Sequence, residues 1–279
     1  GVKVSGKDKK EYTIDSKAVV LATGGFGANA KMIESLRPEY KGFATTNHPG
    51  ALGEGIDLGL RAGATLVDMR EIQAHPTVVP VKGILISESM RGRGAYLVNQ
   101  DGKRFINELL PRDIVAAGVL AQPTGKAWIL IDNALVQKNK LAQGYIQQGL
   151  AVKGNNVEEL AKGIGVPAAN LKATMEQYAK AFETKKDEAF GRPEMITPNN
   201  VFPMYAIQIT PAIHHTMGGL RINKNAEVIG VTAKPVPGLF AAGEVTGGVH
   251  GGNRIGGNAV ADIITFGRIA GKSAADYIK

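Results

Sequence analysis

The sequence predicts an α/β fold, and three observations lead to that prediction. Two short apolar runs of strand length, Ala18–Ala22 and Gly238–Ala242, each lead directly into a glycine turn. Glycine accounts for 36 of the 279 residues, which indicates many tight turns or many close approaches of the backbone. A long helical pattern, Asn258–Tyr277, follows the second turn. Strands that alternate with helices in this way are typical of α/β proteins.

The first segment of the chain, residues 1–69, is predicted to open with a hairpin. Apolar and polar residues alternate in Val2–Val4 and Tyr12–Ile14, on either side of a turn at Gly6–Asp8. The run Ala18–Ala22 then predicts a strand that is buried on both faces. Helices are expected at Ala30–Leu36 and Ile56–Ala62, with a loop at Thr45–Gly55.

The middle segment, residues 70–216, has a different character, and the last segment, residues 217–279, returns to the α/β pattern. Asn156 is followed three residues later by Glu159, which indicates a helix start of the capping-box type. A longer helix after Pro167 carries an apolar stripe, which we interpret as core packing. The stripe consists of Leu171, Met175, Tyr178 and Phe182. The remaining predictions are a buried strand at Lys126–Asp132 and a hairpin of Leu220–Ile222 with Val228–Val231.

Composition excludes several classes of protein and site. Hydrophobic residues make up 44% and charged residues 21% of the chain, as in globular proteins. The absence of cysteine excludes disulfides, thiolate zinc sites, iron–sulfur clusters and c-type haem attachment from this chain. No apolar run reaches about 18 residues, so no transmembrane helix is expected. The net charge of +8 comes from scattered Lys and Arg, which disfavours a nucleic-acid partner and suits a small anionic substrate.

The two glycine turns predict a bound dinucleotide cofactor. Glycine at a strand end lets backbone N–H groups approach a dinucleotide without a Cβ clash. Asn258 then opens a helix, whose N-terminus attracts anionic groups. Taken singly, each turn is equally well a tight turn of a glycine-rich sheet. The stretch Gly25–Ala30 fits a relaxed G-x-G-x-x-G pattern, but Thr45–Gly50 supplies no acidic residue for a ribose. We therefore expect the phosphate-binding segment to lie upstream of Gly1.

Five motifs follow one another along the chain: Ala22–Phe26 (ATGGF), Thr46–Gly50 (TNHPG), Ala74–Thr77 (AHPT), His214–Gly219 (HHTMGG) and Ala241–Gly251 (AAGEVTGGVHG). Together they resemble the flavoprotein subunits of fumarate reductases and succinate dehydrogenases, in particular the soluble flavocytochrome c fumarate reductases. The similarity extends from Asp15 to the C-terminus.

The resemblance implies that part of a FAD-binding Rossmann-like domain is interrupted by an α+β capping domain. On that basis, residues 1–69 and 217–279 belong to the FAD-binding domain, without its N-terminal phosphate-binding part. Residues 70–216 form the cap, and the substrate is expected between the two, where domain interfaces usually hold ligands. At position 54, where many relatives carry Asp, this chain carries Glu. The positions implied to bind FAD are Ala22, Thr23, Gly24, Glu54, Glu244, Ala259 and Val260.

The resemblance also implies a site for a planar dicarboxylate. Arg254 matches the carboxylate-binding arginine, and a guanidinium fork suits a carboxylate. His75 and His214 match the two substrate histidines of the family. Ser87 stands where relatives often carry Thr, and its hydroxyl is an equivalent donor. The positions implied to bind substrate are His75, Ser87, Glu88, His214, Arg254 and Gly257.

Three residues are implied to be catalytic: Arg112 as the proton donor, and Glu88 and Arg91 as a relay that returns the proton. An arginine is a reluctant acid, with a pKa above about 12, but burial and a nearby like charge both lower its pKa. Without the resemblance, a surface ion pair is the simpler interpretation. The adjacent residues His214 and His215 give poor spacing for zinc ligands, so no metal site is expected.

The leading hypothesis is a flavin-dependent fumarate reductase, in which flavin N5 supplies a hydride and Arg112 a proton. Two alternatives stay open: a FAD-dependent reductase of another enoate, such as urocanate, acrylate or an aryl acrylate, and a non-catalytic flavin-binding module. The resemblance further implies an electron donor, either a cytochrome or a haem c domain outside this chain. It also implies the periplasm of an anaerobically respiring bacterium as the location.

Overall fold

The computed structural model describes residues 1–279. The strands are β1 (Val2–Ser5), β2 (Glu11–Ile14), β3 (Val19–Leu21), β4 (Leu66–Val67), β5 (Ile72–Val78), β6 (Tyr96–Val98), β7 (Ala127–Ile131), β8 (Ala151–Gly154), β9 (Met204–Thr216), β10 (Gly219–Arg221), β11 (Glu227–Ile229), β12 (Pro235–Ala241) and β13 (Thr246–Gly247). The helices are α1 (Ala30–Leu36), α2 (Glu54–Arg61), α3 (Glu88–Gly92), α4 (Arg112–Leu120), α5 (Asn133–Lys138), α6 (Lys140–Gln147), α7 (Val157–Ile164), α8 (Ala168–Thr184) and α9 (Asn258–Tyr277). Helices and sheets are mixed along the chain, which confirms the α/β class.

The chain divides into two compact units. The first unit combines Gly1–Gln73 with Ile213–Lys279, and the second unit is Ala74–Ala212. The sequence predicts the same division, with a middle segment that extends from residue 70 to residue 216. The interpretation of these units as a FAD-binding domain and a cap stays a prediction.

The first unit contains three small sheets. β1 pairs with β2 in the predicted antiparallel hairpin. One three-stranded sheet has the order β13-β10-β4 and the other has the order β11-β12-β3. In the latter, β3 and β12 are parallel, with Leu21 beside Ala241. The two glycine turns therefore leave the carboxyl ends of neighbouring parallel strands, which is where open α/β sheets bind ligands.

Two predictions for the first unit were wrong. Segments β10 and β11 do not form a hairpin: β10 pairs with β13 and β4, β11 pairs with β12, and a single bridge joins Ile222 to Val228. Because β10 and β11 are each only three residues long, contacts with other strands decide which partners they pair with. β3 is not buried on both faces, because it is an edge strand and Val20 is 39% exposed.

The second unit is built on a five-stranded sheet with helices on both faces. The strand order is β5-β9-β7-β6, and β8 also pairs with β9. Along β7, Ala127, Ile129 and Ile131 enter one core cluster, whereas Trp128 and Leu130 enter the other. This alternation explains the continuous apolar run of the predicted strand, because both faces of β7 are covered.

Helix ends agree with the local signals. Asn29 caps α1 by accepting a hydrogen bond from the backbone of Met32. Asn156 caps α7, and its side chain accepts from the backbone N–H of Glu159 at 2.8 Å. The Glu159 carboxylate in turn accepts from the backbone of Asn155 at 2.9 Å, so the reciprocal bond reaches one residue further back than in a standard capping box.

The helix after Pro167 carries the predicted core stripe. In α8, Leu171, Met175 and Tyr178 are buried in the second core cluster, and Phe182 packs against its edge. None of the nine helices combines the length and the apolar character that a membrane crossing requires.

We expect Leu171→Ala to lower the free energy of unfolding by about 2–5 kcal/mol, because Leu171 is fully buried and the change leaves a cavity. The matched control is Leu141→Ala on α6, where the leucine is 52% exposed and the expected change stays within about 0.5 kcal/mol. Urea unfolding followed by the fluorescence of Trp128, the single tryptophan of the chain, measures both. Equal effects of the two substitutions would contradict the assignment of the core.

Candidate active site

A carboxylate held by two arginines lies where two helices of the second unit begin. Glu88 is the first residue of α3 and Arg112 the first residue of α4. Arg112 donates to both carboxylate oxygens of Glu88, from Nη2 at 2.8 Å and from Nε at 3.4 Å. Arg91, one turn after Glu88, donates from Nη2 at 3.3 Å. The contacts expected between the three sequence positions are present.

Both arginines of this cluster are buried. The Arg91 side chain is 1% exposed and the Arg112 side chain 7%, whereas Glu88 is 37% exposed. Burial lowers the pKa of Arg91 to about 10; the Glu88 and Glu108 carboxylates oppose the change, and the charges of Arg112 and Arg192 add to it. The cluster is therefore not a surface ion pair, and Arg91 releases its proton more readily than an ordinary arginine.

Ser87 caps the same helix. Its hydroxyl accepts from the backbone N–H of Ser89 at 3.3 Å and contacts the Ser89 hydroxyl at 2.9 Å. The backbone N–H of Ser87 donates to the Tyr145 hydroxyl at 3.0 Å. These contacts fix the first turn of α3, and with it the position of Glu88.

His75 is fully buried on β5. Its Nδ1 accepts a hydrogen bond from the backbone N–H of Thr77 at 3.3 Å, and the Thr77 hydroxyl donates to the carbonyl of Ile86 at 2.8 Å. An acceptor role for Nδ1 puts the proton of the neutral ring on Nε2. His75 is then able to donate from Nε2 to an anionic oxygen.

In the first unit, His214 is held by one of the sequence motifs. The Thr46 hydroxyl lies 2.8 Å from Nδ1 of His214, and the Asn47 side-chain amide donates to the His214 carbonyl at 3.3 Å. Thr46 and Asn47 thus fix both the ring and the backbone of this histidine.

Arg254 is also held from its backbone. The Gln73 side chain donates to the carbonyl of Arg254 at 2.8 Å and to the side chain of Asn253 at 2.7 Å. Arg254 itself is buried, so its guanidinium is presented from a fixed loop. Gly257 lies three residues further on, in a left-handed conformation with φ 91°.

The residues implied to bind FAD meet at the ends of β3 and β12. Gly24 and Gly243 each have φ 80°, a left-handed conformation that only glycine adopts without strain. The backbone N–H of Ala242 donates to the Leu21 carbonyl at 3.0 Å, which keeps the two turns side by side. Thr23 packs against α2, because a Cβ on Gly55 would lie 1.9 Å from its Oγ1. Glu54, which immediately precedes Gly55, lies on the first turn of α2.

Glu244 is a partly buried carboxylate beside these turns, with a side chain that is 24% exposed. Its Oε1 accepts from the backbone N–H of Thr216 at 2.8 Å and from the Thr216 hydroxyl at 3.1 Å. Burial raises the pKa of Glu244, opposed by the two Thr216 hydrogen bonds and by the charge of Arg254, while Asp262 adds to the rise. Both Thr216 bonds fall on one oxygen, which leaves the second oxygen suited to accept from a ligand hydroxyl.

Helix α9 begins beside the second turn. Ile263 lies 3.4 Å from where a Cβ on Gly243 would be, and Ala259 and Val260 occupy the first turn of α9. Left-handed glycines at parallel strand ends, a partly buried carboxylate and a helix N-terminus are the groups that a flavin dinucleotide requires. The residues of the first unit therefore fit FAD.

Several supporting residues were not predicted from the sequence. Thr46 lies inside a motif, yet only the structure shows that it contacts His214. Thr216 likewise lies inside a motif, and only the structure shows that it contacts Glu244. Gln73 and Tyr145 belong to no motif, and no sequence signal could have found them.

The comparisons with known proteins identify the family of the chain. The FAD binding domain family matches residues 1–260. The NADH:fumarate oxidoreductase of Klebsiella pneumoniae (strain 342) is 50% identical over 276 residues, which cover 99% of this chain and 30% of that protein. The probable fumarate reductase Ifc3 of Shewanella frigidimarina (strain NCIMB 400) is 48% identical, over 99% of this chain and 47% of that protein. More distant relatives include an NADH:acrylate oxidoreductase of Vibrio harveyi (38% identical) and a urocanate reductase of Eggerthella lenta (33%).

A solved structure has the same fold. The open conformation of a flavocytochrome c3 fumarate reductase matches with a TM-score of 0.79 and 48% identity, over 99% of this chain and 49% of that chain. The chain thus spans half or less of the length of these relatives. The chain belongs to the FAD binding domain family and is similar over nearly its whole length to fumarate reductase flavoproteins.

Proposed function

We propose that the protein containing this chain reduces fumarate to succinate with FAD. The observation that carries this proposal is the buried cluster of Arg112, Glu88 and Arg91. A guanidinium that is buried beside a carboxylate and a second arginine is able to transfer a proton, which an exposed arginine does poorly. The names of the relatives support the same reaction.

The reaction adds a hydride to one alkene carbon and a proton to the other, so that the double bond becomes single. Bound FAD, once reduced, would supply the hydride from N5. Arg112 gives its proton to the second carbon, after which the Glu88 carboxylate takes a proton from Arg91 and passes it to Arg112. Solvent water replaces the proton that Arg91 has passed on. The fork of Arg112 on Glu88 keeps donor and carboxylate at hydrogen-bonding distance, 2.8 Å, for this step.

The substrate carboxylates are bound by cations and N–H donors. Arg254 would hold one carboxylate with two parallel hydrogen bonds. His75 donates from Nε2, and His214 adds a second imidazole whose ring is fixed by Thr46. Ser87 and Gly257 complete the set that the resemblance assigns to the substrate.

FAD would be held by the glycine turns and Glu244. The turn at Ala22, Thr23 and Gly24 offers backbone N–H groups, and Glu244 accepts from a hydroxyl of the cofactor. Glu54, on the first turn of α2, is a second acceptor. Ala259 and Val260 bring the N-terminus of α9 to the electron-rich part of the flavin.

A second candidate is a reductase of another enoate. The NADH:acrylate oxidoreductase and the urocanate reductase favour it, because this chain is 38% and 33% identical to them, respectively. Together, His75, His214 and Arg254 supply more hydrogen-bond donors than a single carboxylate requires. This favours a dicarboxylate such as fumarate. A non-catalytic flavin-binding module would have no use for a buried proton relay.

The electron donor and the location follow the resemblance to flavocytochrome c. We expect electrons to reach FAD from a cytochrome or a haem c domain outside this chain. We expect the protein to serve anaerobic respiration in the periplasm. Each expectation concerns the whole protein rather than the residues of this chain.

Replacing Arg112 tests the proton donor. Arg112→Ala should lower kcat for fumarate by about 10²- to 10⁴-fold, the usual contribution of a general acid, while FAD content stays that of wild type. The assay is oxidation of reduced methyl viologen by the intact protein. Arg93→Ala is the control, since Arg93 caps the C-terminal end of α3, the helix that carries Glu88 and Arg91, and is exposed. Near-wild-type turnover of Arg112→Ala would refute the role.

A substrate panel tests the dicarboxylate. The intact protein should oxidise reduced methyl viologen rapidly with fumarate and slowly with acrylate or urocanate. His75→Ala should raise KM for fumarate by about 10- to 100-fold, as for a lost hydrogen bond to a charged group, and KM for acrylate less. Turnover with another enoate but not with fumarate would leave the flavin chemistry intact and overturn the substrate.

The raised pKa of Glu244 predicts a dependence of stability on pH. The folded protein holds this proton more tightly than the unfolded chain, so stability is lost as the pH rises from 4.5 through the folded pKa. Without FAD, Glu244→Gln should unfold at higher temperature than wild type at neutral pH. The difference should disappear below about pH 4.

The same substitution should weaken FAD binding, because the glutamine amide offers one acceptor oxygen in place of two. Differential scanning fluorimetry measures the change in unfolding temperature, and FAD titration of the apoprotein measures the change in FAD affinity. Glu34→Gln serves as the control, because Glu34 is exposed and pairs only with Lys41. If Glu244→Gln is the less stable variant at neutral pH, burial does not dominate at this carboxylate.

A further inference from the structure

Arg192 is a buried arginine that holds the end of the relay helix α3. Its side chain is fully buried. Nη2 donates to the carbonyl of Arg91 at 2.5 Å, and Nη1 donates to the carbonyl of Ala95 at 3.1 Å. These carbonyls belong to the last turn of α3 and the chain that follows it, where helix carbonyls lack partners within the helix. The guanidinium therefore fixes where the backbone of Arg91 lies.

Glu108 connects Arg192 to the Arg91 side chain. Its carboxylate Oε2 accepts from Nη1 of Arg192 at 3.1 Å. Its backbone carbonyl accepts from Nη1 of Arg91 at 2.6 Å. Arg91, Glu108 and Arg192 thus form a closed ring of hydrogen bonds, in which both the backbone and the guanidinium of Arg91 are held.

We propose that Arg192 is a positioning residue for proton transfer, which holds Arg91 in reach of Glu88. The inference rests on the proposed function, because it concerns the relay that would return a proton to Arg112. The bonds of Arg192 toward the relay go to the backbone carbonyl of Arg91 and to the Glu108 carboxylate. Arg192 acts through Arg91, whose Nη2 is 3.3 Å from Glu88 while Nη1 stays on Glu108.

The charge of Arg192 supports the same role. Four charged groups face the Arg91 guanidinium: Glu88 on α3, Arg112 on α4, and Glu108 and Arg192 from the loops. Burial lowers the pKa of Arg91, and the two carboxylates oppose this while the two arginines add to it. Removing the charge of Arg192 raises the pKa of Arg91, and Arg91 then releases its proton less readily.

Arg104 is a matched control on the other side of Glu108. It is equally buried and donates to both Glu108 oxygens, from Nε at 2.9 Å and from Nη2 at 3.0 Å. Its remaining bonds go to Asp187, at 3.0 and 3.3 Å, rather than to α3. Loss of either arginine leaves the Glu108 carboxylate with one arginine partner, but only loss of Arg192 releases the backbone carbonyl of Arg91.

The experiment compares Arg192→Gln with Arg104→Gln in the intact protein, with fumarate and reduced methyl viologen. Arg192→Gln should lower kcat by about 10- to 100-fold, as expected when a reacting group is misplaced, with KM within about 2-fold of wild type. Its solvent isotope effect on kcat should increase, since proton transfer becomes slower. The alkaline limb of its pH profile should move to higher pH. Arg104→Gln should keep the wild-type isotope effect and profile.

A conservative variant separates positioning from folding. Arg192→Lys keeps the charge and part of the hydrogen bonding, so it should recover part of the rate that Arg192→Gln loses. If Arg192→Gln does not fold with bound FAD, Arg192→Lys against Arg104→Lys carries the same comparison. Arg104→Lys is then expected to retain the wild-type isotope effect and pH profile.

The possible failures are distinguishable. Equal losses of kcat in the Arg192 and Arg104 variants, with unchanged isotope effects and pH profiles, would overturn the positioning role and leave the reductase proposal standing. A wild-type protein that reduces no enoate would overturn the proposed function, and the inference about Arg192 with it.

Discussion

The second unit depends on three buried arginines that all donate hydrogen bonds to one residue, Glu108. Arg91, Arg104 and Arg192 are each almost wholly removed from solvent, and Glu108 contacts all three. A buried charge without its partner costs about 3–5 kcal/mol, so the segments that carry these residues are held together. Glu108 also accepts from the backbone of Leu97 on β6 at 3.3 Å, which connects the network to the sheet. The network therefore joins α3, the sheet and the segment after α8.

The same pairing gives the site its chemistry. Burial lowers the pKa of Arg91 to about 10. The pKa of Arg104 is raised instead, because its bonds to Glu108 and Asp187 outweigh the effect of burial. Glu88 reaches partial exposure while both its arginine partners stay buried. The Glu88 carboxylate thus lies between the buried arginines and solvent. Well-packed apolar side chains of the same volume would cost less free energy to bury than these charges, but they have no proton to transfer.

The first unit meets a related cost at Glu244. A carboxylate is partly buried beside two glycine turns, and Thr216 supplies only part of what its oxygens can accept. The backbone turns at Gly24 and Gly243 are close because β3 and β12 are parallel neighbours. A cofactor hydroxyl would satisfy the remaining oxygen, so binding and folding of this unit are linked. Without cofactor, this unit is less stable than it would be with a neutral side chain in place of Glu244.

Local signals in the sequence determined the α/β class, the N-terminal hairpin, both ends of α1 and α9, the cap of α7 and the core face of α8. They also identified the motifs of the FAD binding domain family. Each of these depends on residues a few positions apart, where capping, glycine conformation and periodicity act. Only the tertiary structure decided that β10 pairs with β4 and β13, that the 13-residue strand β9 crosses both units, and that Glu108 meets Arg192, 84 positions away. Strand partners and buried ion pairs are selected by packing between distant segments, and no local pattern encodes that choice.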